Sequence, residues 1–303
     1  MSYETDTHFV HFYGRGSGLW VVSTGLTVTE KKAGSLSDWA TRVFGADQIK
    51  QAAHPVGSAV AGVWRPGLYY QTEVLQGLGD SDGDQRAAEQ ALRLLVERFD
   101  ELLLYIEPDA NGLKAYSHKT RELLILSSTE VENSWKHYMR LAAATPVAGS
   151  DFTTKDYVKL LPALFLSEFK VALKPYSGVA SFRPFHGWDP AAPSKSLPWY
   201  DAYNKTKHDR TTHFAEATFQ SCLAAVAANL VLFCVRFSPF PLFQSAGTLG
   251  TLVNHLFEIE LVDCDPATFY IPLLSLPANI RQDLVCGQSK DWVQRWTTLP
   301  LKV

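Results

Sequence analysis

The feature that most constrains this chain is a change of hydrophobic period near residue 84. From Asp84 onward the apolar positions of "DQRAAEQALRLLVERFDELLLYIEP" recur at helical spacing, and Pro108 stops the run. A second long helix is expected over about residues 113–141, where Leu124, Ser128, Val131, Trp135 and Tyr138 form one stripe. Leu123, Ile125 and Leu126 point elsewhere, so this helix is expected to be covered on more than one side. "TTKDYVKLLPALFLSEF" reads as a shorter helix with a Thr or Asp cap and a kink at Pro162. The last long helix is expected from about Pro198 to Phe237, opened by the proline and closed by "SPFP". Amphipathic helices of this length must bury their apolar faces on one another, so the fold class is mainly α.

Upstream of this point the period is closer to two. "THFVHFY" and "LWVVSTGLTVT" flank the Gly-rich "GRGSG" and predict a hairpin over residues 7–30. One helix is expected from Ser35 to about Ala53, then an extended segment, "GVWRPGLYYQTEVL". "GLGDSDGD" at 77–84 is the clearest linker; it lacks the glutamate that completes a calcium loop. The predicted organisation is a small α+β module over residues 1–80 and a helical bundle domain over 84–303, ending in an irregular tail with a strand-like "TFYIPLL". The Pro-rich, aromatic 176–198 segment is too apolar for a free linker and is expected to lie pinned across the helices.

Composition narrows the function classes. With 46% apolar and 19% charged residues the chain is an ordinary globular one, and its net charge of −3 excludes a generally basic nucleic-acid-coating surface. Any RNA contact must be local. Cys222, Cys234, Cys264 and Cys286 are scattered with no C-x-x-C pair, and no targeting segment is evident, so reduced thiols in a cytoplasmic protein are expected. The apolar run at 222–235 is short for a membrane span, and no membrane partner is expected.

Chemistry-bearing residues concentrate in "PWYDAYNKTKHDRTTHF" at 198–214. At 100° per residue Tyr200, Asn204, Lys207, His208 and Thr211 share one face, with Arg210 on another. The natural counterparts are Glu130 and Glu132, which interrupt the apolar 113–141 helix and could answer Lys207, His208 or Arg210. Which glutamate does so is open. One reading is a structural polar network that sets helix register. In the other, a neutral His208 takes a proton from an RNA 2′-hydroxyl, Lys207 or Arg210 meets charge growing on the phosphate, and Asn204 orients the imidazole or the phosphate. Neither metal nor cofactor is expected: His208 and His213 fall on nearly opposite helical faces, and no further ligand set converges. Trp188, Trp199, Tyr200 and Tyr203 either stack a base or anchor the Pro-rich crossing.

"RELLILSSTEVENSWK", "TTKDYVKL" and "LPWYDAYNKTKHDR", in that order, resemble a family of uncharacterised bacterial proteins of about this length, over roughly residues 100–237. More distantly the helical part resembles the HEPN group of bundles. That resemblance implies a HEPN-like helical bundle, with a metal-independent ribonuclease or a nucleotide-binding module of toxin or defence systems as its activity. It also implies RNA or nucleotide as ligand, and a second copy of the chain or a protein complex as partner. The chain departs from the group's ribonuclease signature, since no arginine stands a few residues before His208 or His213 at the required spacing. A regulatory module without catalysis, or a structural subunit of a larger assembly, are the competing classes.

Overall fold

The computed structural model of the chain describes residues 1–15, 18–19, 21–244, 246–276, 282–285 and 292–303. The helical share is 47%, in eleven α-helices among the described residues, and the strands form small sheets. The Gly-rich turn at 14–18 lies partly, and Cys286 wholly, outside the described residues.

In chain order the elements begin with β1 (Ser2–Glu4), β2 (His8–Arg15), β3 (Val21–Glu30), α1 (Leu36–Phe44), β4 (Ser58–Val60) and α2 (Gln71–Leu78). The long helices α3 (Asp82–Leu103) and α4 (His118–Leu141) follow, then α5 (Thr154–Tyr157), α6 (Leu160–Ala163) and β5 (Phe169–Leu173). Next come α7 (Pro198–His208), α8 (Arg210–His213), α9 (Phe219–Phe237), α10 (Phe240–Phe243), α11 (Thr248–Leu256) and β6 (Phe257–Leu261). The last strands are β7 (Gln282–Val285) and β8 (Thr297–Leu299). Two compact units result: Met1–Gly79 with Asp263–Leu299, and Asp80–Val262 with Pro300–Val303.

In the first unit β2 and β3 pair antiparallel, and the four-stranded sheet runs β1-β2-β3-β7. Val10, Phe12, Leu26 and Val28 are fully buried, which is the alternation that made the hairpin readable. Ser35 caps α1 through a capping box, and Gly45, in the left-handed region at φ 66°, ends it well short of the expected Ala53. "QTEVL" is helical in α2 and not extended.

Residues 84–303, expected as one domain, divide between the units: Asp263–Leu299 group with the first, and Pro300–Val303 stay with the second. β7 joins β3, and β8 lies parallel to β4. The "TFYIPLL" segment is irregular and bonds singly: Tyr270 N donates to Pro66 O at 2.9 Å, and the buried Tyr270 hydroxyl donates to Val63 O at 2.7 Å. Gly67, at φ 112°, faces the Tyr270 carbonyl so closely that a Cβ there would collide with it. Such long-range pairings leave no periodic trace in the tail's own sequence.

In the second unit α9 is the central helix, packed by α3, α4 and α7. It is 19 residues long and apolar enough to cross a membrane by length and composition, yet 78% of its apolar window is buried within the protein. Small residues allow its close approach to α4: Cys222 Sγ donates to Thr120 O at 2.9 Å, and Asn229 Nδ2 to Ser127 O at 2.9 Å. Burial pushes the Cys222 and Cys234 thiols well up, as expected of core cysteines.

Local polar residues move several expected boundaries. Ser117 caps α4, so residues 113–117 precede it, with a 3-10 turn at Gly112–Lys114. α3 ends at Leu103, before Pro108. The 153–169 run is two short helices, α5 and α6, followed by a 3-10 turn and β5. The single helix expected over 198–237 is instead three helices and a 3-10 turn. Asp209 leaves helical geometry and accepts from Thr212 N at 3.1 Å, and Thr218 accepts from Ser221 N at 3.1 Å to start α9.

His11 gives the first unit a pH dependence. It stacks on Phe44 at 3.9 Å, and burial, then the nearby positive N-terminus, lower its pKa from 6.5 to about 4. A folded-state value below the unfolded one means that the unfolded chain takes up the proton first. Stability of this unit is therefore full above 6.5 and is lost as pH falls from there toward 4. The urea midpoint is expected to drop from pH ~7 to ~4, with a flatter profile in His11→Phe. Parallel profiles for wild type and variant would refute this assignment.

Candidate functional site

The site is built from the aromatic nest around Trp135 of α4. This fully buried indole stacks on Trp188 at 4.8 Å and meets Tyr200 at 5.2 Å and Tyr157 at 5.3 Å between centroids. Trp188 Nε1 donates to Pro193 O, and Trp199 Nε1 to Pro184 O, both at 2.9 Å. The Pro-rich segment is thereby pinned to α4 and α7. Trp188, Trp199, Tyr200 and Tyr203 are all buried, so this set packs the crossing.

Beside the nest lies a cleft of about 430 Å³. Glu132 and Lys136, one turn apart on α4, form one wall; Tyr200, Asp201, Asn204 and His208 of α7 form another. Phe152, Thr154 and Tyr157 come from the chain around α5, and Ser194 and Lys195 from the Pro-rich segment. Ser194 and Thr154 hydroxyls join these last two walls at 2.7 Å.

Of the residues singled out in the sequence, Glu132, Asn204 and His208 share this cleft. The carboxylate does not meet a cation there: Glu132 Oε1 accepts from the Tyr200 hydroxyl at 2.7 Å. Glu132 is only half-buried, so water solvates its remaining lone pairs and an ion pair is not required. Burial first, then this hydrogen bond, push the Tyr200 phenol far up; burial, then Glu132, raise Tyr157 to about 12.

The other three candidates stand elsewhere. Lys207 turns to Tyr203, its Nζ donating to the phenol oxygen at 2.7 Å and lying 4.9 Å from the ring centroid. That hydrogen bond raises its pKa, with a smaller contribution from Glu132. Arg210 is exposed on α8, beyond the Asp209 break that the single-helix reading did not include. Glu130 lies round the far side of α4 and lines a separate cavity of about 70 Å³ with Ser134, His137 and Arg236. Arg236 there is committed to Asp80, with N–O distances of 2.6 and 2.9 Å. Two positions along a helix turn a side chain through about 200°, which separates the two glutamates.

Sequence reasoning missed Lys136 and Lys195. The Glu132–Lys136 spacing of four residues was a visible same-face signal. Nothing local marked Lys195, which the Trp188–Trp135 stack brings to the cleft. Among the described residues the side chains of Lys136, Lys195, Asn204 and His208 have no hydrogen-bond or ion-pair partner within the protein. No family model matches the chain, and neither a curated protein nor a solved structure does.

The Glu132–Tyr200 pair predicts a specific coupling. Glu132→Gln and Tyr200→Phe are each expected to cost about 1 kcal/mol, and their double-mutant cycle to show a coupling of at least ~0.5 kcal/mol. Glu130→Gln combined with Tyr200→Phe is expected to be additive in the same urea titrations. Additivity in the Glu132 cycle would remove the pair as an energetic link between α4 and α7.

Proposed function

We propose that the chain is a HEPN-like bacterial protein, RNA- or nucleotide-directed, that cleaves RNA without a metal in the cytoplasm. The observation that carries the reading is the single cleft in which Asn204, His208, Lys136 and Lys195 keep their polar groups uncommitted beside the Tyr200–Glu132 pair. The order of the three sequence blocks supports the likeness to a family of uncharacterised bacterial proteins, and the helical part supports the more distant HEPN-like reading.

His208 stands at the exposed end of α7, where its imidazole is accessible to a substrate hydroxyl and serves as a general base. In the proposed step it takes the proton of an RNA 2′-hydroxyl. The 2′-oxygen attacks the adjacent phosphorus, and the bond to the 5′-oxygen breaks, leaving a 2′,3′-cyclic phosphate. The proton then passes from the imidazolium to the departing 5′-oxygen, directly or through water. Lys136 or Lys195 offsets the charge growing on the phosphoryl oxygens, the role first given to Lys207 and Arg210. Asn204, one turn before His208, orients the imidazole or the phosphate.

A second reading, a nucleotide-binding or regulatory module, is favoured by the position of Lys207 and Arg210 outside the cleft. Incubation with total RNA in EDTA separates the two. Cleavage is expected from the wild-type chain, and His208→Ala should lose about 10²-fold or more of the rate. No products from either protein, together with a nucleotide-dependent rise in Tm, would replace the ribonuclease by the binding module.

A further inference from the structure

We infer that the cleft is a receptor for a terminal phosphomonoester carried on a nucleoside, either a free nucleoside monophosphate or the phosphorylated end of an RNA strand. This rests on the reading of the cleft as nucleotide-directed and specifies which part of the nucleotide is held.

The charge inventory carries the inference. Two acidic and two basic side chains line the cleft: Glu132, Asp201, Lys136 and Lys195. Asp201 is already paired, its Oδ2 lying 2.8 Å from Lys205 Nζ, and Glu132 accepts the Tyr200 hydroxyl. Lys136 and Lys195 have no counterion among the described residues. A ligand therefore meets two lysines without counterions, beside a Glu132 carboxylate whose bond to a neutral phenol leaves its charge in place. A phosphomonoester carries about −1.5 to −2 at neutral pH against about one charge for each linkage inside an RNA strand, so it is drawn more strongly to the two lysines.

The two lysines are also held in fixed relation. Lys136 sits on α4 one residue after Trp135, and Trp135 stacks on Trp188 of the segment that carries Lys195. That segment is tied again at Thr154–Ser194, and Ser196 Oγ accepts from Asp189 N at 2.9 Å. The phosphate-binding groups are thus mounted on a packed scaffold, which lowers the ordering cost of binding. Phe152 presents an apolar face for a base, and Asn204 offers both a donor and an acceptor, as a ribose diol or base edge requires. A volume of about 430 Å³ suits one nucleotide.

Calorimetric titration of the full chain tests the inference with the four nucleoside monophosphates, the matching nucleosides, and one RNA oligonucleotide bearing either a terminal phosphate or a hydroxyl. Each phosphorylated ligand is expected to bind about tenfold or more tightly than its hydroxyl counterpart, the margin one charge-assisted pair supplies. Lys136→Gln and Lys195→Gln should each remove most of that margin while leaving nucleoside affinity and Tm unchanged. Phe152→Ala should weaken nucleoside and nucleotide alike. If the oligonucleotide pair shows the larger margin, the source is an RNA end; if the mononucleotides do, it is the free nucleotide. Equal affinity for phosphorylated and unphosphorylated ligands, or lysine variants that bind as wild type does, would overturn the inference. RNA cleavage that depends on His208 but ignores the terminal phosphate would overturn it alone. A phosphate margin without cleavage would uphold it and remove the ribonuclease.

Discussion

The stack of Trp135 on Trp188 is the contact on which the second unit's surface chemistry depends. An indole buried among aromatic rings makes a large apolar contact, and edge and offset contacts of this kind also constrain the relative placement of the chains that carry them. Because Trp135 lies midway along α4 while Trp188 lies within the Pro-rich segment and Trp199 just after it, one nest holds a helix, a loop and the start of α7 together. The cleft is what remains between these parts: its lysines come from α4 and the loop, its imidazole and amide from α7. Without the nest, Lys195 would have no defined relation to Lys136.

The polar partners at this place follow from exposure. A carboxylate sealed between helices requires a cation, and that expectation led from Glu130 and Glu132 to Lys207, His208 and Arg210. Glu132 faces a cleft, so a phenol and water suffice, and the cations are released to other tasks. Lys207 lies against the Tyr203 ring, and Lys205 bridges Asp201 and Glu216. Basic groups in the last turn of α7 also sit favourably at the negative end of the helix dipole, whatever else they do. What sets His208 and Asn204 apart is that neither is committed to a neighbour.

Much of the helical unit was legible. The stripe Leu124, Ser128, Val131, Trp135 and Tyr138 is buried as its spacing implies, and α9 is enclosed as its composition implies. The errors fall where short polar residues compete with helical geometry. Asp209 and Thr218 cap new helices, and Ser117 delays α4, although each is an ordinary cap residue that the sequence displays. Apolar periodicity carried across these caps joined separate helices into one, although the helix breaks at Asp209. In the site, helical spacing was enough to group Asn204 with His208, but not to decide which glutamate faced them.

The sequence by itself determined the helix-forming stretches, the β2–β3 hairpin and the concentration of reactive side chains near residue 204, because these depend on neighbours within a few residues. Only the tertiary structure decided that Asp263–Leu299 complete the first unit, that Glu132 and not Glu130 borders the cleft, and that Lys136 and Lys195 meet there. The reason is physical: strand addition and aromatic stacking join groups far apart in the chain, and their energy resides in pairs of surfaces that no single segment contains.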